Sequence, residues 1–140
     1  MIQARHILAV QGKGQGLHEI TSDVAAWLDG QAVQEGLLTL FIRHTSASLL
    51  IQENAERDVR SDLEAFMERL IPEDPGAYRH TAEGPDDMPA HIKSALTQSH
   101  LSIPVGSGRM LLGTWQGIYL FEHRRRAPRR EVVLHLIGEV

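Results

Sequence analysis

The chain has 140 residues, of which 42% are apolar and 23% charged, and its formal net charge is −4. This length supports one domain, residues 1–140, with one core, and the acidic balance argues against a nucleic-acid partner. The absence of cysteine excludes disulfides, thiolate catalysis and cysteine-ligated zinc, and no apolar run reaches membrane-spanning length. We therefore expect a cytoplasmic single-domain protein without a membrane partner.

The first 44 residues are predicted to form two strands and a helix. Apolar residues alternate over 2–11, which is typical of a strand. A short helix follows, capped by Thr21 or Ser22 and ended by Gly30. The continuous apolar run LLTLFIRH, 37–44, predicts a strand buried on both faces.

The middle of the chain is predicted to contain a strand, an amphipathic helix and a long loop. The strand is TSASLLI, 45–51. The helix begins with Asn54 as its N-cap and ends before Pro72. Residues 72–86 are rich in Pro, Gly and Asp and form a loop. Loops of this length in small domains often carry function.

The stretch EGPDDMPAHI, 83–92, predicts the start of another helix. Asp86 or Asp87 is its N-cap, since a short polar side chain there satisfies free N–H groups. Asp87 and His91 are then i, i+4 neighbours on one face. The predicted buried stripe comprises Met88, Ile92, Ala95 and Leu96.

Four strands are predicted in the C-terminal third: LSIPV (101–105), RMLLG (109–113), WQGIYLFEH (115–123) and EVVLHLIG (131–138). The last two would pair across the loop RRRAPRR, 124–130. The predicted fold class is α+β, a single domain with a mixed or antiparallel sheet and two to three helices packed on one side.

Three histidines and two aspartates form the main candidate site. His44, His91 and His123 each stand at the end of a predicted element, where a rigid scaffold meets solvent. Together with Asp86 or Asp87 they suit a divalent metal, and zinc or manganese fits imidazole better than magnesium does. The same groups also suit metal-free proton transfer. A third interpretation is purely structural: the aspartate only caps the helix and the histidines bond to the backbone.

Five arginines between 124 and 130 form a candidate phosphate-binding set. Arg124 is the strongest member because it directly follows His123, whereas Arg125, Arg126 and Arg129 fit a solvated hairpin tip. Aromatic residues do not alternate with these arginines, so a nucleic-acid surface is not expected.

The stretch HTSAS, 44–48, does not predict a serine nucleophile, because no G-x-S-x-G elbow is present. Its hydroxyl groups are interpreted as polar lining. Trp115 and Tyr119 are expected in the core.

Three long motifs resemble the YjbQ family, which is also labelled secondary thiamine-phosphate synthase. They are HTSASLLIQEN (44–54), HTAEGPDDMPAHIK (80–93) and LLGTWQGIYLFEHR (111–124). Their order and spacing are similar across nearly the whole chain. The resemblance implies a small α+β protein that assembles as a homotrimer, with its polar motif residues near subunit boundaries.

The resemblance also implies an activity, the weak formation of thiamine phosphate from a thiazole phosphate and a pyrimidine diphosphate with release of pyrophosphate. The sequence departs from the family motif at Glu56 and Arg57, where the family carries aspartate and proline. The matching positions are His44, Thr45, Ser46, Asn54, His80, Asp86, Asp87, His91, Gly113, Thr114, Trp115, Gln116, Glu122, His123 and Arg124.

These observations predict a small-molecule enzyme with a divalent metal (zinc, manganese or magnesium) and a phosphorylated ligand. The alternative is a non-catalytic trimeric module that binds a phosphorylated metabolite. The predicted catalytic residues are His44, Asp87, His91 and His123, and the three histidines are the predicted metal ligands. The predicted substrate-binding residues are Thr45, Ser46, Asn54, His80, Asp86, Gln116, Glu122 and Arg124.

Overall fold

A computed structural model describes residues 1–140, which form three α-helices and eight β-strands. In chain order the elements are β1 (Ile2–Val10), β2 (Gly16–Glu19), α1 (Thr21–Asp29), β3 (Glu35–Ile42), β4 (Ala47–Glu53), α2 (Arg57–Leu70), a 3₁₀ turn (Pro75–Ala77), α3 (Asp87–Leu96), β5 (His100–Gly106), β6 (Arg109–Met110), β7 (Gln116–Glu122) and β8 (Arg130–Glu139).

The predicted α+β class is confirmed, and the strands divide between two antiparallel sheets. The larger sheet has the order β1–β8–β3–β5–β6 and the smaller one β2–β7–β4. The predicted pairing of the last two long strands is wrong. β7 lies between β2 and β4, while β8 lies between β1 and β3. Each of these two strands is hydrogen-bonded to a neighbour on both of its edges, and neither neighbour is the other strand. The connection after β7 therefore leads from the small sheet to the large one.

The main core lies between the two sheets, where apolar side chains from both inner faces meet. Val132, Leu134 and Leu136 of β8 alternate inward, as a half-buried strand requires. Leu49 of β4 and Leu120 of β7 come from the opposite sheet. Helix α1 adds two further buried side chains to the same cluster.

The prediction that residues 37–44 are buried on both faces is wrong. Leu38, Leu40 and Ile42 are buried, but Leu37 and Phe41 are 41% and 47% exposed. The reason is that β3 lies inside the five-stranded sheet, and within one chain only one face of that sheet is covered. The sheet therefore presents an apolar outer face.

Helix α2 packs on the outer face of the small sheet. Tyr119 and Phe121 form a second cluster there, against which Leu63 and Met67 of α2 pack. The prediction that Tyr119 belongs to the core is thus confirmed. The prediction for Trp115 is wrong, because that side chain is 62% exposed just before β7.

Two predicted details of the helices are also wrong. Asn54 does not cap α2, which begins at Arg57, and its amide instead donates to the Glu19 carboxylate at 3.1 Å. Helix α3 does not bury its predicted stripe, since Leu96 is 63% exposed whereas Lys93 is 3% exposed. The helix contacts β4, and its buried residues are Asp87, Pro89, Ala90 and Lys93. None of the three α-helices combines the length and apolar character of a membrane span.

A buried ion pair joins the ends of the two sheets. Arg130, the first residue of β8, donates to both carboxylate oxygens of Glu122 at the end of β7, at 2.7 and 2.5 Å. Both side chains are almost completely buried. Arg130 also donates to the backbone oxygen and the hydroxyl of Ser46, at 3.1 and 3.0 Å. These contacts fix the strand ends from which the candidate site is built.

Candidate metal centre

The predicted site residues lie at two opposite ends of the small sheet. In the β4–β7 pair, Ala47 faces Glu122 at one end and Glu53 faces Gln116 at the other. Six residue steps of about 3.3 Å each separate these ends, so they lie roughly 20 Å apart. Gln116 and Arg124 of one chain therefore do not reach the same small molecule.

One end carries a compact cluster around the carboxylate of Asp87. His80 Nε2 lies 2.6 Å and His91 Nε2 3.1 Å from the same oxygen, Oδ2. Arg124 Nη1 donates to the other oxygen, Oδ1, at 2.5 Å. The potential ligand atoms of His80, Asp87 and His91 all lie within 4.8 Å of one another. We call these three residues the Asp87 cluster.

Local sequence explains how two of these groups meet. Asp87 begins α3 and His91 follows one turn later, so the predicted i, i+4 pair is confirmed. The loop before the helix turns at Gly84, whose φ of +104° is readily adopted only by glycine. That turn lies just before the buried start of α3, between His80 and Asp87 in the chain. The reversal of the chain there brings His80 next to the Asp87 carboxylate.

Asp86 occupies the N-cap position of α3, but its carboxylate makes no capping hydrogen bond. Asp86 Oδ2 instead accepts from Arg124 Nε at 3.1 Å and from the Arg125 backbone N–H at 3.0 Å. Arg124 Nη2 also donates to the Glu83 backbone oxygen at 2.9 Å. Arg124 therefore orients both carboxylates, and the capping interpretation of these aspartates is not supported.

Both aspartates are held in the charged form. Burial raises the pKa of Asp87, but the hydrogen bond from His80 and the charges of Arg124 and His91 outweigh it and lower the pKa below its usual value. Burial likewise opposes ionisation of Asp86, and the N–H groups that it accepts reverse the effect and lower its pKa. The cluster is thus a fixed source of negative charge at neutral pH.

The hydrogen bonds of His91 define which of its nitrogens is free. Its Nδ1 lies 3.0 Å from the backbone oxygen of Thr45, which only accepts, so Nδ1 carries a hydrogen and donates it. Its Nε2 then faces the Asp87 carboxylate, which is also an acceptor. A proton or a metal ion between these two atoms is needed to make that contact attractive.

The three donor side chains of the Asp87 cluster are of a kind that could hold a divalent metal ion. Imidazole nitrogen and carboxylate oxygen are common zinc ligands, with bonds of about 2.0–2.2 Å. A tetrahedral ion holds its ligand atoms roughly 3.3 Å apart. The His91–Asp87 separation of 3.1 Å is close to that value, whereas the His80–Asp87 separation of 2.6 Å would have to widen to admit an ion. The backbone acceptor on Nδ1 of His91 is the outer contact that metal-binding histidines usually make.

The predicted metal triad of His44, His91 and His123 does not form within one chain. His44 Nε2 accepts the backbone N–H of Glu131 at 2.9 Å, and burial with the nearby charge of Arg130 lowers its pKa. His123 is buried and its Nε2 lies 2.9 Å from Ser48 Oγ. Neither belongs to the Asp87 cluster.

His80, which joins Asp87 and His91 in the cluster, is predicted from the sequence only as a substrate-binding residue. It lies in an irregular loop seven residues before Asp87, and no helical or strand period relates the two positions. The one sequence signal for a site there is the long loop itself, which is rich in Pro, Gly and Asp. A cavity of about 310 Å³ reaches His80. It is lined by Pro75, Tyr78, His80, Thr81, Gly84 and Pro85.

The other predicted substrate-binding side chains have partners within the chain. Ser46 and Glu122 bind the buried Arg130, and Asn54 binds Glu19. The Gln116 amide oxygen accepts the backbone N–H of Gly113 at 2.7 Å. Thr45 contributes its backbone oxygen to His91.

Sequence and structure comparisons point to one family. The model of the UPF0047 protein YjbQ-like family matches residues 6–139. The UPF0047 protein sll1880 of Synechocystis sp. is 52% identical over 99% of this chain and 94% of that protein. The UPF0047 protein YjbQ of Escherichia coli O157:H7 is 45% identical over 94% of this chain and 96% of that protein.

Solved structures agree with this result. A conserved hypothetical protein from Thermus thermophilus superposes with a TM-score of 0.82 at 36% identity, over 94% of this chain and 99% of that one. A YbjQ-like protein from Sulfolobus solfataricus P2 has a TM-score of 0.88 at 20% identity, over 99% of both chains, which shows a shared fold.

The lowered pKa of Asp87 predicts acid sensitivity. The charged form stabilises the folded state above the ordinary aspartate pKa, and this contribution is lost as the pH falls through the lower folded value. At pH 7, Asp87→Asn should lower the free energy of unfolding by about 2 kcal/mol. Urea unfolding between pH 3 and 7 should show the difference from wild type shrinking in acid. The exposed Asp62→Asn is the control, and a difference that does not depend on pH would contradict this role.

Proposed function

Because the chain belongs to the UPF0047 family of YjbQ-like proteins, we propose that it is a small-molecule enzyme that holds a divalent metal ion with His80, Asp87 and His91. The supporting observation is the approach of two imidazole nitrogens to one buried carboxylate oxygen. Two nitrogen ligands favour zinc or manganese over magnesium. This ligand set replaces the triad predicted from the sequence.

The substrate that we propose is a small phosphorylated molecule. Arg79 directly precedes His80, Arg126 follows Arg125, and both are exposed and form no ion pair. Free guanidinium groups match the geometry of phosphate oxygens. The cavity beside His80 offers about 310 Å³ for the rest of the molecule.

The reaction that we propose is a thiamine-phosphate synthase-like transfer. The thiazole nitrogen forms a bond to the methylene carbon of the pyrimidine diphosphate, the C–O bond to the diphosphate breaks, and pyrophosphate leaves with the bonding electrons. A bound metal ion would supply positive charge to the departing oxygens. The free arginines would add to it, while Arg124 keeps the Asp87 carboxylate oriented toward the two histidines.

A second candidate is a non-catalytic module that binds a phosphorylated metabolite. The observation in its favour is that both carboxylates of the site are already engaged. Asp86 accepts from two arginine N–H groups, and Asp87 accepts from Arg124 and contacts two histidines. A binding site needs no free general base, so this arrangement serves binding as well as transfer.

We also propose that the protein assembles as a homotrimer through the outer face of its larger sheet. Ile7, Leu37 and Phe41 are each more than 40% exposed there, and an unshielded apolar face is a common interface. A ring of three chains has head-to-tail contacts. Such contacts would allow the Gln116 end of one chain to approach the Asp87 end of the next.

Zinc binding tests the metal site directly. Titration calorimetry on tag-free protein should detect a site that His80→Ala and His91→Ala each weaken by at least about tenfold, because each removes a ligand. His6→Ala is the matched control, since His6 is exposed, stacks on Trp27 and lies on the sheet face opposite to Phe41. Unchanged zinc affinity in both cluster variants would refute the site.

Turnover distinguishes the two candidate functions. With a thiazole phosphate, a pyrimidine diphosphate and zinc or manganese, the wild-type protein should release pyrophosphate. Asp87→Asn should slow that release by about 100-fold or more, as loss of a preorganised group typically does. Pyrophosphate release can be followed with a coupled assay, with His6→Ala as the control. Tight binding of both substrates without any release would favour the non-catalytic module.

Assembly should depend on the exposed face of β3. Sedimentation of the wild type should give three times the chain mass of 15.6 kDa. Phe41→Glu should release monomers, because it places a charge in the apolar contact. Phe66→Glu, at a similarly exposed phenylalanine on α2, should leave the trimer intact. A wild-type monomer would contradict the proposal.

A further inference from the structure

A second cavity, of about 200 Å³, lies on the other side of α3 from the Asp87 cluster. Lys93 of α3 lines it, and Lys93 follows His91 by two positions, or about 200° around the helix. Met67 and Glu68 of α2 form another wall, and His123 after β7 contributes the base. The proposed metal centre makes no use of this space.

His123 lines this cavity and carries a buried polar atom without a partner. The side chain is only 1% exposed, and its Nδ1 has no hydrogen-bond partner. A buried polar atom without a partner costs roughly 1–3 kcal/mol, so native structures rarely leave one unsatisfied. A molecule in the cavity would provide the missing partner once the ring turns Nδ1 toward it, because Nδ1 itself has almost no accessible surface.

The surrounding hydrogen bonds define what that partner must offer. Thr97 Oγ1 lies 2.8 Å from the Lys93 backbone oxygen, which only accepts, so the Thr97 hydroxyl donates to it. The contact of 2.6 Å between Ser48 Oγ and Thr97 Oγ1 then needs the Ser48 hydrogen. Ser48 is left to accept from His123 Nε2 at 2.9 Å. Nδ1 of His123 is therefore a bare acceptor that needs a donor.

The charges around the cavity favour an uncharged ligand. Burial and the charges of Lys93 and Arg130 lower the pKa of His123 to about 3, so the imidazole stays neutral. Lys93 is paired with Glu68. An anion would face the carboxylates of Glu64 and Glu68, and a cation would face the Lys93 ammonium. Lys93 retains N–H groups that can donate to a neutral acceptor.

We propose that this cavity is a second binding site, for a small uncharged planar molecule that carries a hydrogen-bond donor next to an acceptor, such as a cyclic amide. Its donor binds His123 Nδ1 and its acceptor binds the Lys93 ammonium. Met67 and Phe121 provide apolar surface for the ring. The site is independent of the metal centre, so either can fail while the other stands.

A pair of probes tests this site. 2-Pyridone offers an N–H beside a C=O, whereas N-methyl-2-pyridone keeps the ring and the C=O but carries a methyl group in place of the donor hydrogen. In ¹⁵N-histidine-labelled protein, 2-pyridone should shift the Nδ1 resonance of His123, and the methylated probe should bind at least about tenfold more weakly, as loss of one buried hydrogen bond implies. Equal binding of both probes, or an unmoved Nδ1 resonance at saturating probe, would overturn the proposal.

Variants add a second readout. His123→Phe keeps a ring but removes the acceptor, and Lys93→Met keeps the length but removes the donor, so both should abolish 2-pyridone binding in calorimetry. His6→Ala should bind as wild type does. If His123→Phe fails to fold, the Nδ1 resonance of the wild-type protein decides. Undiminished 2-pyridone binding in a folded His123→Phe variant would show that the ligand lies elsewhere.

Discussion

The burial of the Asp87 carboxylate is the constraint on which the candidate site depends. A charge removed from water must be compensated nearby, and here three separate segments supply the compensation. The loop before α3 provides His80, the next helical turn provides His91, and the chain after β7 provides Arg124. Removing any one leaves the charge partly unpaired. The same contacts that hold the loop, helix and strand end together therefore create a site with two imidazoles beside one carboxylate.

A second buried ion pair, Glu122 and Arg130, helps to fix this arrangement. Glu122 and Arg130 stand at the ends of strands in different sheets, and Ser46 precedes a third strand end. Arg130 has four acceptor atoms within this group, two on Glu122 and two on Ser46. Burial of such a pair costs desolvation energy, so its contribution is to fix geometry more than to add stability. Because Arg124 lies between Glu122 and Arg130 in the chain, its position relative to Asp87 depends on how the two sheets are joined.

Periodic patterns in the sequence predict individual strands, helices and pairs within one helix. They do not predict contacts between segments that are far apart in the chain. The strand over 2–11 and the Asp87–His91 pair follow directly from spacing. The separation of β7 from β8 does not, because each strand pairs with segments far away in sequence. For the same reason the sequence predicts His80 only as a substrate-binding residue, since no helical or strand periodicity relates a loop residue to its neighbours in space. The sequence does not predict that Lys93 is buried. An ammonium group is buried only when it is paired, and its partner Glu68 lies 25 residues away in the chain.

The central claim is that His80, Asp87 and His91 form one metal site, and anomalous diffraction tests it most directly. Crystals grown with zinc and measured on both sides of the zinc absorption edge would locate the ion without any assumption about activity. We expect one strong peak bonded to Nε2 of both histidines and to Oδ2 of Asp87, with His91 Nδ1 still bound to the Thr45 backbone oxygen. A fully loaded crystal whose zinc lies on other side chains, with these three residues paired only to each other, would contradict it.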